Sequence, residues 1–449
     1  MADVVVVGAG LGGLAAAARL AKLGHRVTVL ERNATAGGAI HRVEKDGFGW
    51  DAGPSSTTLP AVLRDLFRKS GRPLERYVDL VLRTPARRHV FEDGSHVDLP
   101  TGSRADQIRA VDAGLGTGSG AAWAAFVDAQ GSLWDRLRLD VLDLPDGAAR
   151  LADRDVARSL GARTSLGTLL TKSLPDDRMR AMAGCHVELA GSTVQDAPAY
   201  AAVSCYVERS FGVWGVPAGG LAAVTDALVT RLGERKVRLE LGAEVTALLV
   251  TGGRVSGVTL ADGTERRADV VVAAIDARTV FGRLLPHGLN LPGRRLFGAA
   301  TPAIPPSVTH VGLHGDVPAL PDEVVLHGDP LLVLTTCGSA PPDGHAWTVQ
   351  RRGDAQEDVL VVLARRGIDV RDHVVTRLDR SADDLVRETG GSPYGLAWPG
   401  WRAHVRRAAQ SNPVPGLHLC GSSVHPGPGV PYVAWGAAHI ATRIGPVQP

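Results

Sequence analysis

Asp3-Val4-Val5-Val6-Val7-Gly8-Ala9-Gly10-Leu11-Gly12-Gly13, an Ala-rich stretch from Leu14 to Lys22, and a second apolar run from Val27 to Leu30 ending at Glu31 together decide the fold. The valine run reads as a strand buried on both faces of a parallel sheet. Gly8 makes the tight turn out of it, Gly10 leaves room for a pyrophosphate, Gly12 belongs to the same loop, and Gly13 lets the helix pack close to the strand. Leu20 and Leu23 give that helix a strand-facing side, while its free N-terminal amides and its dipole attract phosphate. Glu31 is placed to accept both hydroxyls of a ribose. A carboxylate there repels a 2'-phosphate, so the ligand is expected to be NAD or FAD and not NADP.

The residues after Glu31 separate those two. Arg32-Asn33-Ala34-Thr35-Ala36-Gly37-Gly38-Ala39 supplies a second glycine pair, which lets another backbone loop touch an extended ligand beneath the sheet. NAD-only domains have no need of it, so FAD is the expected cofactor. Gly53-Pro54-Ser55 follow in Asp46-Gly47-Phe48-Gly49-Trp50-Asp51-Ala52-Gly53-Pro54-Ser55.

The C-terminus adds Leu417-His418-Leu419-Cys420-Gly421-Ser422-Ser423-Val424-His425-Pro426-Gly427-Pro428-Gly429-Val430-Pro431 and a helical run from Tyr432 through Ile444. This resembles the closing signature of bacterial phytoene desaturases and related carotenoid dehydrogenases, within the flavin amine oxidase superfamily. The resemblance extends to Asp51-Ala52-Gly53-Pro54, Thr58-Leu59-Pro60, Phe91-Glu92-Asp93-Gly94-Ser95 and Gly215-Val216-Pro217-Ala218-Gly219-Gly220. It implies that Gly421 and Ser422 lie beside the ribityl phosphate, that Gly429, Val430 and Pro431 begin a helix aimed at the flavin, and that Val245 holds the adenine through its backbone. Pro431 suits a first helical turn, and the positive end of the dipole would stabilise charge on a reduced flavin. The family loop carries a histidine toward the flavin, which makes His425 the candidate catalytic residue.

Two departures stand out. Ala39 occupies a position where the family usually has a basic residue, leaving Arg32 or Arg42 to neutralise the phosphates. Tyr432 replaces a common glycine, with Trp435 three residues on, so aromatic bulk is expected near the flavin face. Tyr394, Trp398, Tyr432 and Trp435 are candidate walls of a substrate channel.

At 449 residues, 44% hydrophobic and net charge +2, the chain can bury a large core. Its basic residues are overwhelmingly Arg and mixed with acids, without an aromatic-interleaved basic stripe, which argues against nucleic acid. Cys185, Cys205, Cys337 and Cys420 have no metal-ligand or disulfide spacing, which suits a reducing compartment, the cytoplasm, and no metal. No leader or membrane-spanning stretch is visible. The resemblance to enzymes that draw substrates from bilayers makes Met179 to Val213 a candidate peripheral membrane contact.

The fold class is therefore α/β: a Rossmann-type FAD-binding domain from 1–75, 215–280 and 405–449, with an inserted α+β substrate domain from 76–214 and 281–404. Within it, Phe91 to Val97 reads as a hairpin with an Asp-Gly turn, 103–210 as largely helical, and Gly114 to Gly120 as a flexible loop. There is no P-loop, HExxH, GxSxG or second dinucleotide unit, so electrons are expected to pass from substrate to flavin and on to oxygen or a quinone. The main reading is dehydrogenation of a small apolar, isoprenoid or carotenoid-like substrate by hydride transfer to flavin N5. An oxidase of an amine or other natural product, and a non-enzymatic prenyl-binding protein resembling GDP dissociation inhibitors, are the other readings.

Overall fold

The computed structural model describes residues 1–217, 219–289, 291–353, 356–397 and 414–447. Its organising element is a five-stranded parallel sheet ordered Leu417–Leu419, Val270–Ala273, Asp3–Val7, Arg26–Leu30, Arg238–Glu240. Alternation in the valine run serves two cores at once. Val4 and Val6 face a cluster with helix Leu11–Lys22, whereas Val5 and Val7 face another with Leu248, Val258 and Phe281. Period-two burial on both faces is what a strand covered by helices on one side and by further structure on the other requires. Helices Pro60–Ser70, Ala222–Glu234 and Val430–Ile444 join the first layer.

A three-stranded antiparallel sheet of Val245–Thr251, Arg254–Leu260 and Glu265–Arg267 leads back into the parallel sheet at Val270. A third sheet has seven strands, ordered Val374–Arg380, Ser307–His314, Gly344–Arg352, Leu331–Thr335, Glu323–Leu326, Arg87–Val90, His96–Leu99. Here the Asp93-Gly94 hairpin forms the edge, with Val90 opposite His96 and the Phe91 N–H donating to the Ser95 carbonyl at 2.9 Å. Strand Arg87–Val90 runs parallel to Glu323–Leu326, so segments far apart in the chain share one sheet.

Three local readings need correction. The first helix begins at Leu11, because Gly10 itself takes the extended cap geometry, and the last begins at Val430. The Gly114 to Gly120 tract is no loose loop. Helices Arg104–Leu115 and Ser119–Ala129 run into it, and Asp112 Oδ1 accepts from the Gly118 and Gly120 N–H groups at 2.9 and 2.8 Å. A Cβ at Gly114 or Gly120 would sit 2.2 Å from a carbonyl oxygen, so these glycines permit close packing. Asp51 caps helix Ala222–Glu234, its carboxylate accepting from the N–H groups of Leu221 and Ala222 at 3.0 and 2.9 Å. Among the described residues no helix is long and apolar enough to cross a membrane.

Candidate functional site

The carboxyl ends of the parallel strands open onto a cavity of about 520 Å³. This is the crevice in which open α/β sheets bind ligands. Gly8, with φ +98°, turns the chain under it, where a Cβ would lie 2.9 Å from the Ala274 carbonyl oxygen. Gly13 carries the helix against this turn, since its Cβ would come 2.0 Å from the Gly8 oxygen. Gly12 packs toward Cys420 and Val433, at 3.0 and 3.1 Å from the position of its Cβ. Gly10 differs from all three: its Cβ would meet nothing nearer than Gly38 Cα at 3.8 Å and would project into the cavity.

The second glycine pair lies against the first. The Gly37 N–H donates to the Ala9 carbonyl at 2.8 Å, and Gly38, at φ +59°, approaches Gly10 so closely that its own Cβ would be 2.9 Å from Gly10 Cα. Ala39, Gly53 and Pro54 continue the wall, with Gly53 pressed against the Ala39 carbonyl. Glu31 is buried; one carboxylate oxygen accepts from the Ala9 N–H at 2.7 Å and the other from the Asn33 N–H at 2.9 Å. Both bonds pin the carboxylate at the end of strand Arg26–Leu30, where it borders the cavity. Val245, Gly421, Ser422, Gly429, Val430 and Pro431 border the same space. A trough with glycine on its floor, an anchored carboxylate at one end and helix N-termini from Leu11 and Val430 fits an extended, diphosphate-bearing flavin dinucleotide. Glu31→Ala is expected to weaken FAD by about 1.5–3 kcal/mol, the range for hydrogen bonds to a charged group. Titration of the apoprotein with FAD checks this, and an unaltered dissociation constant would reduce Glu31 to a brace for the loop.

Several sequence candidates sit elsewhere. Arg32 borders the cavity, but its guanidinium donates to the carbonyls of Arg387 and Glu388 (2.9 Å for the latter), beside the end of helix Ala382–Thr389. Arg42 is outside the cavity, bonded to Glu44 at 2.6 Å and to Ser339. Neither guanidinium is placed as a base beside Ala39; Arg283 and Arg380 also border the cavity, together with the helix N-termini at Leu11 and Val430. Ser55 turns out of the cavity wall, which Ser56, Thr57 and Thr58 complete instead. Trp435 packs into a core cluster with Leu59 and Trp134 nearby, and Trp398 lies outside the described residues.

A second cavity of about 220 Å³ adjoins the first, with His186, Ala190, Tyr394, Pro428 and Tyr432 lining both. Leu137, Val141, Leu142, Leu151 and Val187 make its walls largely apolar. Burial pushes the Tyr432 phenol up to about 12 and raises Tyr394 as well, so both remain protonated and present ring faces and a polar tip. His425 lines this second chamber and not the first. Its Nε2 donates to the Leu144 carbonyl at 3.0 Å and its ring stacks on His439 at 5.8 Å, so the structure sets it beside the second chamber and away from the dinucleotide trough.

Sequence reading missed the buried ion cluster beside these chambers. Arg87 donates to Glu323 at 2.7 Å and, through both terminal nitrogens, to Glu208 at 2.9 and 2.8 Å. Burial pushes the Glu208 carboxyl up, but the Arg87 guanidinium outweighs it and holds it near 2. These residues come from two strands and two helices, with 99 to 236 positions between Arg87 and its partners, and the available signal was only charge on otherwise apolar faces.

Residues 11–320 match the family described as flavin containing amine oxidoreductase. Over 98% of its length the chain is 31% identical to hydroxyneurosporene desaturase of Cereibacter sphaeroides, covering 97% of that protein. It is 29% identical, over 98% of its length and 97% of the other's, to 4,4'-diapolycopene oxygenase of a Methylomonas species. Cyclohexylamine oxidase from Brevibacterium oxydans IH-35A shares the fold, with a TM-score of 0.67 at 17% identity over 99% of both chains.

Proposed function

The chain belongs to the flavin containing amine oxidoreductase family and is an FAD-dependent oxidoreductase, and we propose on that premise that it desaturates an apolar, carotenoid-like isoprenoid. The observation carrying this reading is the apolar second chamber joined to the dinucleotide trough across Tyr394, Pro428 and Tyr432. Relatives named for carotenoid desaturation and oxygenation support it.

On this reading Gly8, Gly10, Gly12, Glu31, Gly37, Gly38, Ala39, Gly53, Pro54, Val245, Gly421, Ser422, Gly429, Val430 and Pro431 hold the cofactor, and Gly13 packs the helix against the turn that carries them. Bound FAD supplies the hydride acceptor. Tyr394 and Tyr432 seat the reacting segment of the chain, and Leu137, Val141, Leu142 and Leu151 take its apolar continuation and keep water out. With a single dinucleotide motif in the sequence, the electrons pass to oxygen or a quinone. Residues 1–75, 215–280 and 405–449 act as the cofactor unit and 76–214 and 281–404 as the substrate unit. The expected contact at Met179 to Val213 is largely core, with Met182, Tyr200 and Val203 buried, so exposed Leu139 and Leu144, on the segment carrying Leu137, Val141 and Leu142, take its place as the contact with a bilayer surface from which such a substrate is drawn.

Anaerobic mixing of the FAD-loaded protein with an acyclic polyene tests the proposal. Bleaching of the flavin bands together with a red shift of the polyene spectrum is expected. Bleaching by small amines and none by the polyene would overturn it.

A further inference from the structure

We propose that His186 is a specificity-determining residue that gives a hydrogen bond to an oxygen carried by the substrate, so that the preferred ligand is a polyene bearing a hydroxyl, ether or carbonyl group. The inference rests on the carotenoid-like reading above and adds one polar handle to it.

His186 lies on helix Asp177–Leu189 and lines both chambers, at the place where they meet. Its side chain keeps 23% of its surface accessible. Its Nε2 faces Arg87 Nη1 at 3.2 Å. A guanidinium has only N–H groups to offer, so in this contact Nε2 accepts and the neutral ring carries its proton on Nδ1. Arg87 is itself immobilised by Glu208 and Glu323, which fixes the direction of the bond and with it the tautomer. Nδ1 bonds to no described residue and is not among the buried polar atoms lacking a partner, so it keeps accessible surface on a side chain that borders both chambers. Protonation of the ring would also leave a hydrogen on Nδ1. The nearest Glu208 oxygen, 3.4 Å from Nε2, lies beyond good hydrogen-bond geometry for the alternative tautomer.

The consequence is an accessible donor on a side chain bordering a space whose other walls include Leu137, Val141 and Leu151. A hydrocarbon entering that space strips water from Nδ1–H without replacing the lost bond. A chain with an acceptor oxygen at the matching position restores it, and also fixes how far the chain slides past the flavin end of the first chamber. The difference expected between the two ligands is about tenfold in affinity.

The test uses the FAD-loaded protein and two probes, an acyclic polyene hydrocarbon and the same polyene bearing one tertiary hydroxyl. Affinities are read from shifts of the flavin and polyene bands, and turnover from anaerobic bleaching. The proposal expects the wild type to favour the hydroxylated probe about tenfold. His186→Leu should bring the ratio of the two affinities close to one, and His186→Gln, whose amide still donates, should restore part of it. Retained stoichiometric FAD in both variants shows that the trough is intact. Equal affinities in the wild type, or a ratio unmoved by His186→Leu, overturn the role of His186 while the desaturase reading stands. If neither probe binds or bleaches the flavin, the carotenoid-like reading fails and this inference falls with it.

Discussion

Gly10→Val is expected to give a folded protein that does not retain FAD. The loop's other glycines cannot test the site so cleanly, because a Cβ at Gly8 or Gly13 would run into protein backbone at 2.9 or 2.0 Å and disturb the fold itself. At Gly10 the nearest atom to such a Cβ is 3.8 Å away, so the added isopropyl group projects into the trough, where the pyrophosphate belongs. Gly10 has ordinary extended backbone angles, φ −72° and ψ 174°, which valine adopts without strain. The variant should therefore purify with an unfolding midpoint close to that of the wild-type apoprotein. Its visible spectrum after incubation with FAD and desalting should lack flavin bands. Stoichiometric flavin in the variant would remove the trough from consideration as the cofactor site.

Arg87→Met is the second large effect, expected on stability. Arg87 is buried and neutralises two buried carboxylates, Glu208 and Glu323. Methionine fills much of the volume but leaves both charges without that partner, and breaking a buried pair by removing one member costs about 3–5 kcal/mol. A lowered denaturation midpoint is expected, and Arg87→Met combined with Glu208→Gln should recover part of the loss, since the charge and its partner then leave together. No recovery would mean that packing, not charge, sets the effect. The pH dependence follows from the same geometry. Glu208 titrates near 2 in the folded protein against 4.5 in the unfolded chain, so the unfolded state binds more protons between those values. The stability that the ionised carboxylate contributes is complete above pH 4.5 and is lost as pH falls toward 2. Glu208→Gln should flatten that part of the acid-unfolding curve. An identical curve in the variant would show that Glu208 does not carry the acid sensitivity.

The two predictions sit at opposite ends of what could be read from the residues. Gly8, Gly10, Gly13, Glu31 and the Gly37-Gly38 pair were legible because strand, turn and helix follow one another within about thirty positions, and only glycine meets the steric demands of such turns. The alternating burial of Val4 to Val7 was implicit in an unbroken apolar run. Arg32 shows where local reasoning stops: its place in sequence suits a phosphate, yet its guanidinium closes a helix end that begins at Ala382. His425 has the loop position of a flavin neighbour and is instead held by the Leu144 carbonyl.

By itself, then, the amino-acid sequence determined the parallel sheet, the dinucleotide trough and the identity of the cofactor, because these depend on backbone sterics and on charge carried by neighbouring residues. Tertiary structure alone decided the shape of the second chamber, the cluster of Arg87, Glu208 and Glu323, and the donor that His186 presents. Those arise where two strands and two helices meet, and the cost of burying charge is met there by partners that the chain brings from far away.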